Sequence, residues 1–94
     1  MEKYKIEIKK SAVKEIEGLP KRDLQTVLEK ISSLSENPRQ YGYEKLSGQE
    51  KYRVRCGNYR ILYTIGDVVL IVYVVKVGHR KDVYKWKTLA VREY

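Results

Sequence analysis

Residues 52–84 read YRVRCGNYRILYTIGDVVLIVYVVKVGHRKDVY, and their alternation decides the fold. In the first run Tyr52, Val54 and Cys56 fall on one side and Lys51, Arg53 and Arg55 on the other, because successive strand side chains face opposite ways. Gly57-Asn58 parts this run from the next by two residues, the spacing of a tight hairpin. Such a turn sets Cys56 opposite Tyr59 and Arg55 opposite Arg60. Arg53, Arg55, Arg60 and Leu62 then share one face, and Val54, Ile61 and Tyr63 the other. Like charges directly opposite each other destabilise a sheet. Arg55 across from Arg60 is therefore either a pair of splayed, solvated side chains or part of a site completed by an anion or an acidic group.

Gly66-Asp67 again separates two apolar runs by two residues. As a second tight turn it pairs Ile65 with Val68 and sets Tyr73 beside Arg60 on the cationic face. Residues 68–77 are apolar on both sides, as in a central strand covered on both faces. Helices supply one cover, and the other, over Leu62, Val69 and Ile71, is open to a partner protein. Gly78 then breaks the strand, and His79, Arg80, Lys81 and Tyr84 follow in the exit, where rigid scaffolds usually present functional groups.

The chain has 94 residues with 20 Lys and Arg against 12 Asp and Glu, a formal charge of +8. That length makes one domain, residues 1–94, with a single modest core. The charge favours a polyanion or an acidic protein as partner. No run of apolar residues is long enough to span a membrane and no signal-peptide pattern opens the chain, so a cytoplasmic location is expected. The lone Cys56 reads as a small buried hydrophobe. Residues 3–9 alternate with Tyr4, Ile6 and Ile8 inward, a first strand. Ser11 is a candidate N-cap for a short helix carrying Ala12, Ile16 and Leu19. Leu24, Val27, Leu28, Ile31 and Leu34 give a second helix an apolar stripe, ended by Asn37-Pro38. Tyr41, Gly42 and Tyr43 read as a loop packing its rings on the fold's edge, and Lys45-Leu46 adds a short pairing. Lys45 and Arg39 either extend a phosphate-binding surface or are simply solvated. Trp86, Leu89 and Ala90 mark a short last helix, with Trp86 either packed on the sheet or free to stack on a base. The fold class is α+β: a helical hairpin on a mostly antiparallel four-stranded sheet, in the order β-α-α-β-β-β, with a short C-terminal helix.

KLSG at residues 45–48, the YRVR-x-GNYRILY hairpin and the VGHRKDVY exit, in this order, resemble the RelE/ParE superfamily of toxins from bacterial and archaeal toxin–antitoxin pairs, over essentially the whole chain. The RelE branch is the nearer, and the resemblance implies a toxin neutralised by a cognate antitoxin and cleaving mRNA in the ribosomal A site. Motif positions carry the family's functional residues to Arg53, Arg55, Arg60, Arg80 and Tyr84. On that basis Arg60 and Arg80 clamp the scissile phosphate, Arg55 and Arg53 hold the RNA backbone with Lys51, Lys81 and Lys45 nearby, and Tyr84 stacks on or orients a base. Arg55 also stands as a candidate for activating the 2′-OH.

Arginine suits phosphate through its fork and permanent charge, but it is almost never deprotonated. Where other members often have lysine, this chain has Arg53 and Arg55, so any general base must be Glu50, His79, Tyr84 or a ribosomal group. His79 is either a proton-transfer group, imidazole titrating near ~6.5, or structural. No metal-ligand spacing is present, and no cofactor is implied. Leu62, Val69, Ile71 and Tyr73 are the expected antitoxin-docking residues. The alternatives are a ParE-like inhibitor of DNA gyrase and a non-catalytic RNA- or antitoxin-binding module.

Overall fold

The computed structural model describes residues 3–46 and 50–81. Its elements are β1 (Lys5–Ile8), α1 (Lys10–Glu17), α2 (Lys21–Ser33), β2 (Glu44–Lys45), β3 (Tyr52–Cys56), β4 (Tyr59–Gly66) and β5 (Ile71–His79). They form one sheet in the order β1-β5-β4-β3-β2, with β1 parallel to β5 and the other pairs antiparallel. The expected helical hairpin on a mostly antiparallel sheet is present. The short pairing expected at Lys45-Leu46 forms a fifth strand one residue earlier, with Glu44 and Lys45 pairing with Arg53 and Tyr52. The expected C-terminal helix, with Trp86, lies outside the described residues.

Both helices cover one face. Ala12 and Ile16 from α1 and Val27, Ile31 and Leu34 from the α2 stripe are buried against Val54, Cys56, Ile61, Tyr63, Val72, Val74 and Val77. Three local expectations fail. Lys9, not Ser11, occupies the N-cap of α1, without a side-chain capping bond, and Ser11 lies within the first turn. Leu28 of the α2 stripe is left 42% exposed. The second helix also ends at Ser33, before Asn37-Pro38, its last turn tightened by the amides of Leu34 and Ser35 donating to the carbonyls of Ile31 and Ser32.

The first hairpin forms in the expected register, Arg55 opposite Arg60 and Cys56 opposite Tyr59. Gly57 makes this possible with φ +59°, a left-handed conformation that side chains rarely adopt. A Cβ there would meet nothing within 4 Å, so Gly57→Ala is expected to cost only the backbone penalty. That is about 1–2 kcal/mol, read as a lower urea midpoint at constant slope.

The second hairpin does not follow the two-residue reading. Gly66 stays in the strand and pairs with Ile71, and residues 67–70 make the turn, with Leu70 at φ +56°. Asp67 explains this. Its carboxylate accepts two hydrogen bonds from the Arg39 guanidinium, at 2.9 and 2.7 Å, and one from the Tyr4 hydroxyl at 2.7 Å, holding the turn open toward distant parts of the chain. Tyr73 consequently pairs with Thr64, not with Arg60.

A bulge adds a further shift. Tyr63 pairs with Val74 but Leu62 with Lys76, leaving Val75 as the extra residue. A one-residue slip exchanges the two faces for everything beyond it. Gly78 therefore stands opposite Arg60 and His79 opposite Tyr59. The Arg80 amide extends the ladder to the Asn58 carbonyl at 2.7 Å, which puts Arg80 on the Arg60 side of the sheet. Beyond the end of β1, Glu15 of α1 takes over as a partner for β5, accepting from the Val77 amide at 3.0 Å and from Lys76 Nζ at 2.7 Å.

Candidate nucleic-acid interface

Strand β2 is short, and that creates the site. It pairs only with Tyr52 and Arg53, so among the described residues Val54, Arg55 and Cys56 form an open edge of the sheet. Past this edge lies a groove of about 590 Å³ lined by Lys30 from α2, Tyr41 and Gly42 from the preceding loop, Glu44, Arg53, Val54, Arg55, Arg60 and Arg80. Five cations thus face one carboxylate.

The charges are close enough to act on one another. Burial, and then the neighbouring charges of Arg55, Arg53 and Arg80, push the Arg60 guanidinium below its ordinary value, while Glu44 opposes them. Arg60 Nη1 donates to the Tyr59 carbonyl at 3.1 Å, and Arg53 pairs with Glu44 at 3.3 Å. Arg55 and Arg80 are exposed and make no ion pair with a described residue. A fold gains nothing from such crowding by itself. The arrangement can hold a phosphodiester, whose oxygens would accept from several guanidinium forks at once.

The structure brings together Arg53, Arg55, Arg60 and Arg80 and separates them from other expected site residues. His79 lies on the helix side, its ring edge-on to Tyr59 with centroids 5.6 Å apart, and its Nδ1 accepts from the Lys81 amide at 3.2 Å. Tyr59 in turn donates to Asp23 at 3.0 Å, and this bond, then burial, raises the phenol's pKa. Lys51, expected on the RNA surface, is 4% exposed. It is buried immediately before β3, where the solvated face was expected. Lys45 is exposed and sits 3.6 Å from Glu50, and Lys81 is exposed beyond the end of β5. Arg39 is committed to Asp67. Tyr84 lies outside the described residues.

The expected antitoxin-docking set divides as well. Leu62 is already buried, in a small cluster with Leu46 and Val75 on the face away from the helices. It is covered by its own chain through Leu46, whose amide donates to the Lys51 carbonyl at 2.8 Å. Val69 is 65% and Tyr73 37% exposed, and Ile71 is half-buried. Lys30, Tyr41 and Glu44 escaped sequence reasoning as groove residues. Nothing local marks them, because a helix, a loop and a two-residue strand meet β3 only in the folded chain.

Arg39, and after it Tyr4, hold the Asp67 carboxylate at about 2, below its ordinary 3.8. A group whose folded pKa is depressed stabilises the fold above its unfolded value and loses that contribution as pH falls through the folded one. The wild-type unfolding temperature is therefore expected to fall more steeply between pH 4 and 2 than that of Asp67→Asn. Parallel curves for the two proteins would contradict this.

The fold and the groove together define a class: small α+β domains with a cationic groove beside a hairpin sheet. Residues 6–84 match the family described as ParE toxin of type II toxin–antitoxin system, parDE. The chain is 31% identical over 87 residues to the putative toxin RelE1 of Methanocaldococcus jannaschii, spanning 88% of this chain and 97% of that one. It is 33% identical over 86 residues to toxin RelG of Mycobacterium tuberculosis, spanning 87% and 97%. Among solved structures, the RelBE2 toxin–antitoxin complex of M. tuberculosis superposes with a TM-score of 0.75 at 29% identity, covering 82% of this chain and 98% of its counterpart. A mutant of the E. coli toxin RelE in the free state gives 0.76 at 25% identity, covering 96% and 97%. The chain belongs to the RelE/ParE family of type II toxin–antitoxin toxins and is RelE-like. Among the described residues no helix is long and apolar enough to cross a membrane.

Proposed function

We propose that this toxin is a ribosome-dependent endoribonuclease that cuts mRNA by attack of a 2′-OH on the adjacent phosphate, and that a cognate antitoxin neutralises it. One observation carries the proposal: Arg53, Arg55, Arg60 and Arg80 line a single groove. Attack of the 2′-oxygen on phosphorus forms a 2′,3′-cyclic phosphate as the bond to the 5′-oxygen breaks, and negative charge builds on the non-bridging oxygens. Arg60 and Arg80 stabilise that charge, and Arg55 and Arg53 seat the flanking backbone. Fixed donors aimed at developing charge are worth ~2.7–4 kcal/mol each in acyl-transfer sites.

Four arginines cannot accept the nucleophile's proton, and His79 faces Tyr59. In this reading the acceptor is Glu44, the carboxylate that lines the groove beside Arg53. Glu44→Gln is expected to slow single-turnover cleavage by about 10²-fold, while His79→Gln leaves the shape of the pH–rate profile unchanged. An unaltered rate for Glu44→Gln assigns the proton to another group.

A second reading is supported by the family description itself, which names the parDE pair: inhibition of DNA gyrase by binding. Primer extension on translated mRNA, run beside a gyrase supercoiling assay, separates the two. New mRNA ends with undisturbed supercoiling support the nuclease, and arrested supercoiling with intact mRNA supports the gyrase inhibitor.

A further inference from the structure

The loop before β2 presents one tyrosine in an unusual way. Tyr41 is fully exposed, at 103%, yet lines the arginine groove. Two residues on, Tyr43 packs against Tyr52 with centroids 5.7 Å apart. Gly42, at φ +91°, provides the reversal that turns one ring out and the next one in.

This exposure does not come from a slack loop. Arg39 is clamped to Asp67 by two hydrogen bonds. The Gln40 side-chain amide donates to Ser33 Oγ at 3.1 Å and to the Asn37 carbonyl at 3.2 Å, and the Tyr43 amide donates to the Gln40 carbonyl at 3.1 Å. The backbone on both sides of Tyr41 is thus pinned while its ring remains in water. A pre-positioned aromatic face beside a track of guanidinium groups is the combination with which proteins hold single-stranded nucleic acid, the cations following the phosphates and the ring stacking on a base.

We infer that Tyr41 forms a nucleobase subsite, stacking on an unpaired base of the RNA strand whose phosphates lie along Arg53, Arg55, Arg60 and Arg80. The inference rests on the RNA-cleaving reading and deepens it by adding a subsite for one base. Stacking is tolerant of base identity, so the subsite fixes the register of the strand more than its sequence.

The test is fluorescence anisotropy with a labelled single-stranded RNA hexamer, and with the same hexamer carrying one abasic nucleotide at each position in turn. The proteins are the wild type, Tyr41→Ala, Tyr41→Phe and Arg60→Ala. Tyr41→Ala is expected to weaken binding of the intact hexamer about tenfold, whereas Tyr41→Phe keeps it. An abasic nucleotide at one position should weaken the wild type to the same degree and leave Tyr41→Ala unaffected. If Arg60→Ala weakens binding but Tyr41→Ala matches the wild type, the stacking subsite is overturned alone. If the wild type does not bind the hexamer, the subsite is overturned, whereas the ribosome-dependent cleavage reading stands or falls on primer extension alone.

Discussion

Arg60→Ala is expected to lower ribosome-programmed mRNA cleavage by about 10²–10³-fold, the usual loss when one donor to developing transition-state charge is removed. Arg80→Ala should fall in the same range, because the bulge at Val75 delivers both guanidinium groups to one side of the sheet. With both proposed to act on one phosphate, the double variant should lose less than the product of the two single losses. The expected effect on stability runs the other way. Arg60 is partly desolvated and surrounded by Arg55, Arg53 and Arg80, and removing it relieves that repulsion. Its urea midpoint should therefore equal or exceed that of the wild type. A variant that loses activity while holding or gaining stability marks a residue kept for function. A fall in both would mean that Arg60 is structural.

The second large effect concerns Tyr63. Its side chain is completely buried at the centre of the sheet, and its hydroxyl donates to the Pro38 carbonyl at 2.6 Å. Burial pushes the phenol's pKa up, so the hydroxyl stays neutral and donates. Tyr63→Ala is expected to cost about 3–5 kcal/mol, as for other large aromatic side chains removed from a core. That is a large share of the ~5–15 kcal/mol that holds a small domain together. Tyr63→Phe keeps the ring and leaves a carbonyl without its donor, a loss of about 1–3 kcal/mol. Since Pro38 opens the segment that leads to Tyr41 and Glu44, Tyr63→Phe should also weaken RNA binding slightly. Chemical denaturation of both variants beside the wild type provides the check, and equal midpoints for Phe and Tyr would remove the hydrogen bond from the account.

What the sequence revealed and what it hid divide along physical lines. The first hairpin was legible because Gly57-Asn58 is a local signal and strand alternation then places Arg53, Arg55 and Arg60 without further help. The helix faces were legible for the same reason, Ala12 with Ile16 and Val27 with Ile31 recurring at helical spacing. The second turn was not. Gly66-Asp67 has the form of a tight turn, but the Asp67 carboxylate is claimed by Arg39 and Tyr4 from remote segments, and no local pattern encodes that claim. The bulge at Val75 leaves no trace in an unbroken apolar run, yet it decides that Arg80 faces the groove and His79 faces Tyr59. The remaining groove residues, Lys30 from α2, Tyr41 from the loop and Glu44 from the two-residue β2, come from elements that reach β3 only in the folded chain. Lys51 and Leu62 were misplaced for a related reason: both are buried in the folded chain, Leu62 in a cluster with Leu46 and Val75, where alternation alone leaves them in solvent.

The central claim is that converging guanidinium groups promote attack by the RNA's own 2′-OH. It is tested most directly on ribosomes programmed with an mRNA carrying a single 2′-deoxynucleotide immediately 5′ of the cleaved bond. The all-ribose message is expected to be cut to leave a 2′,3′-cyclic phosphate, and the singly substituted message to stay intact at that site. Equal cutting of both messages would contradict it.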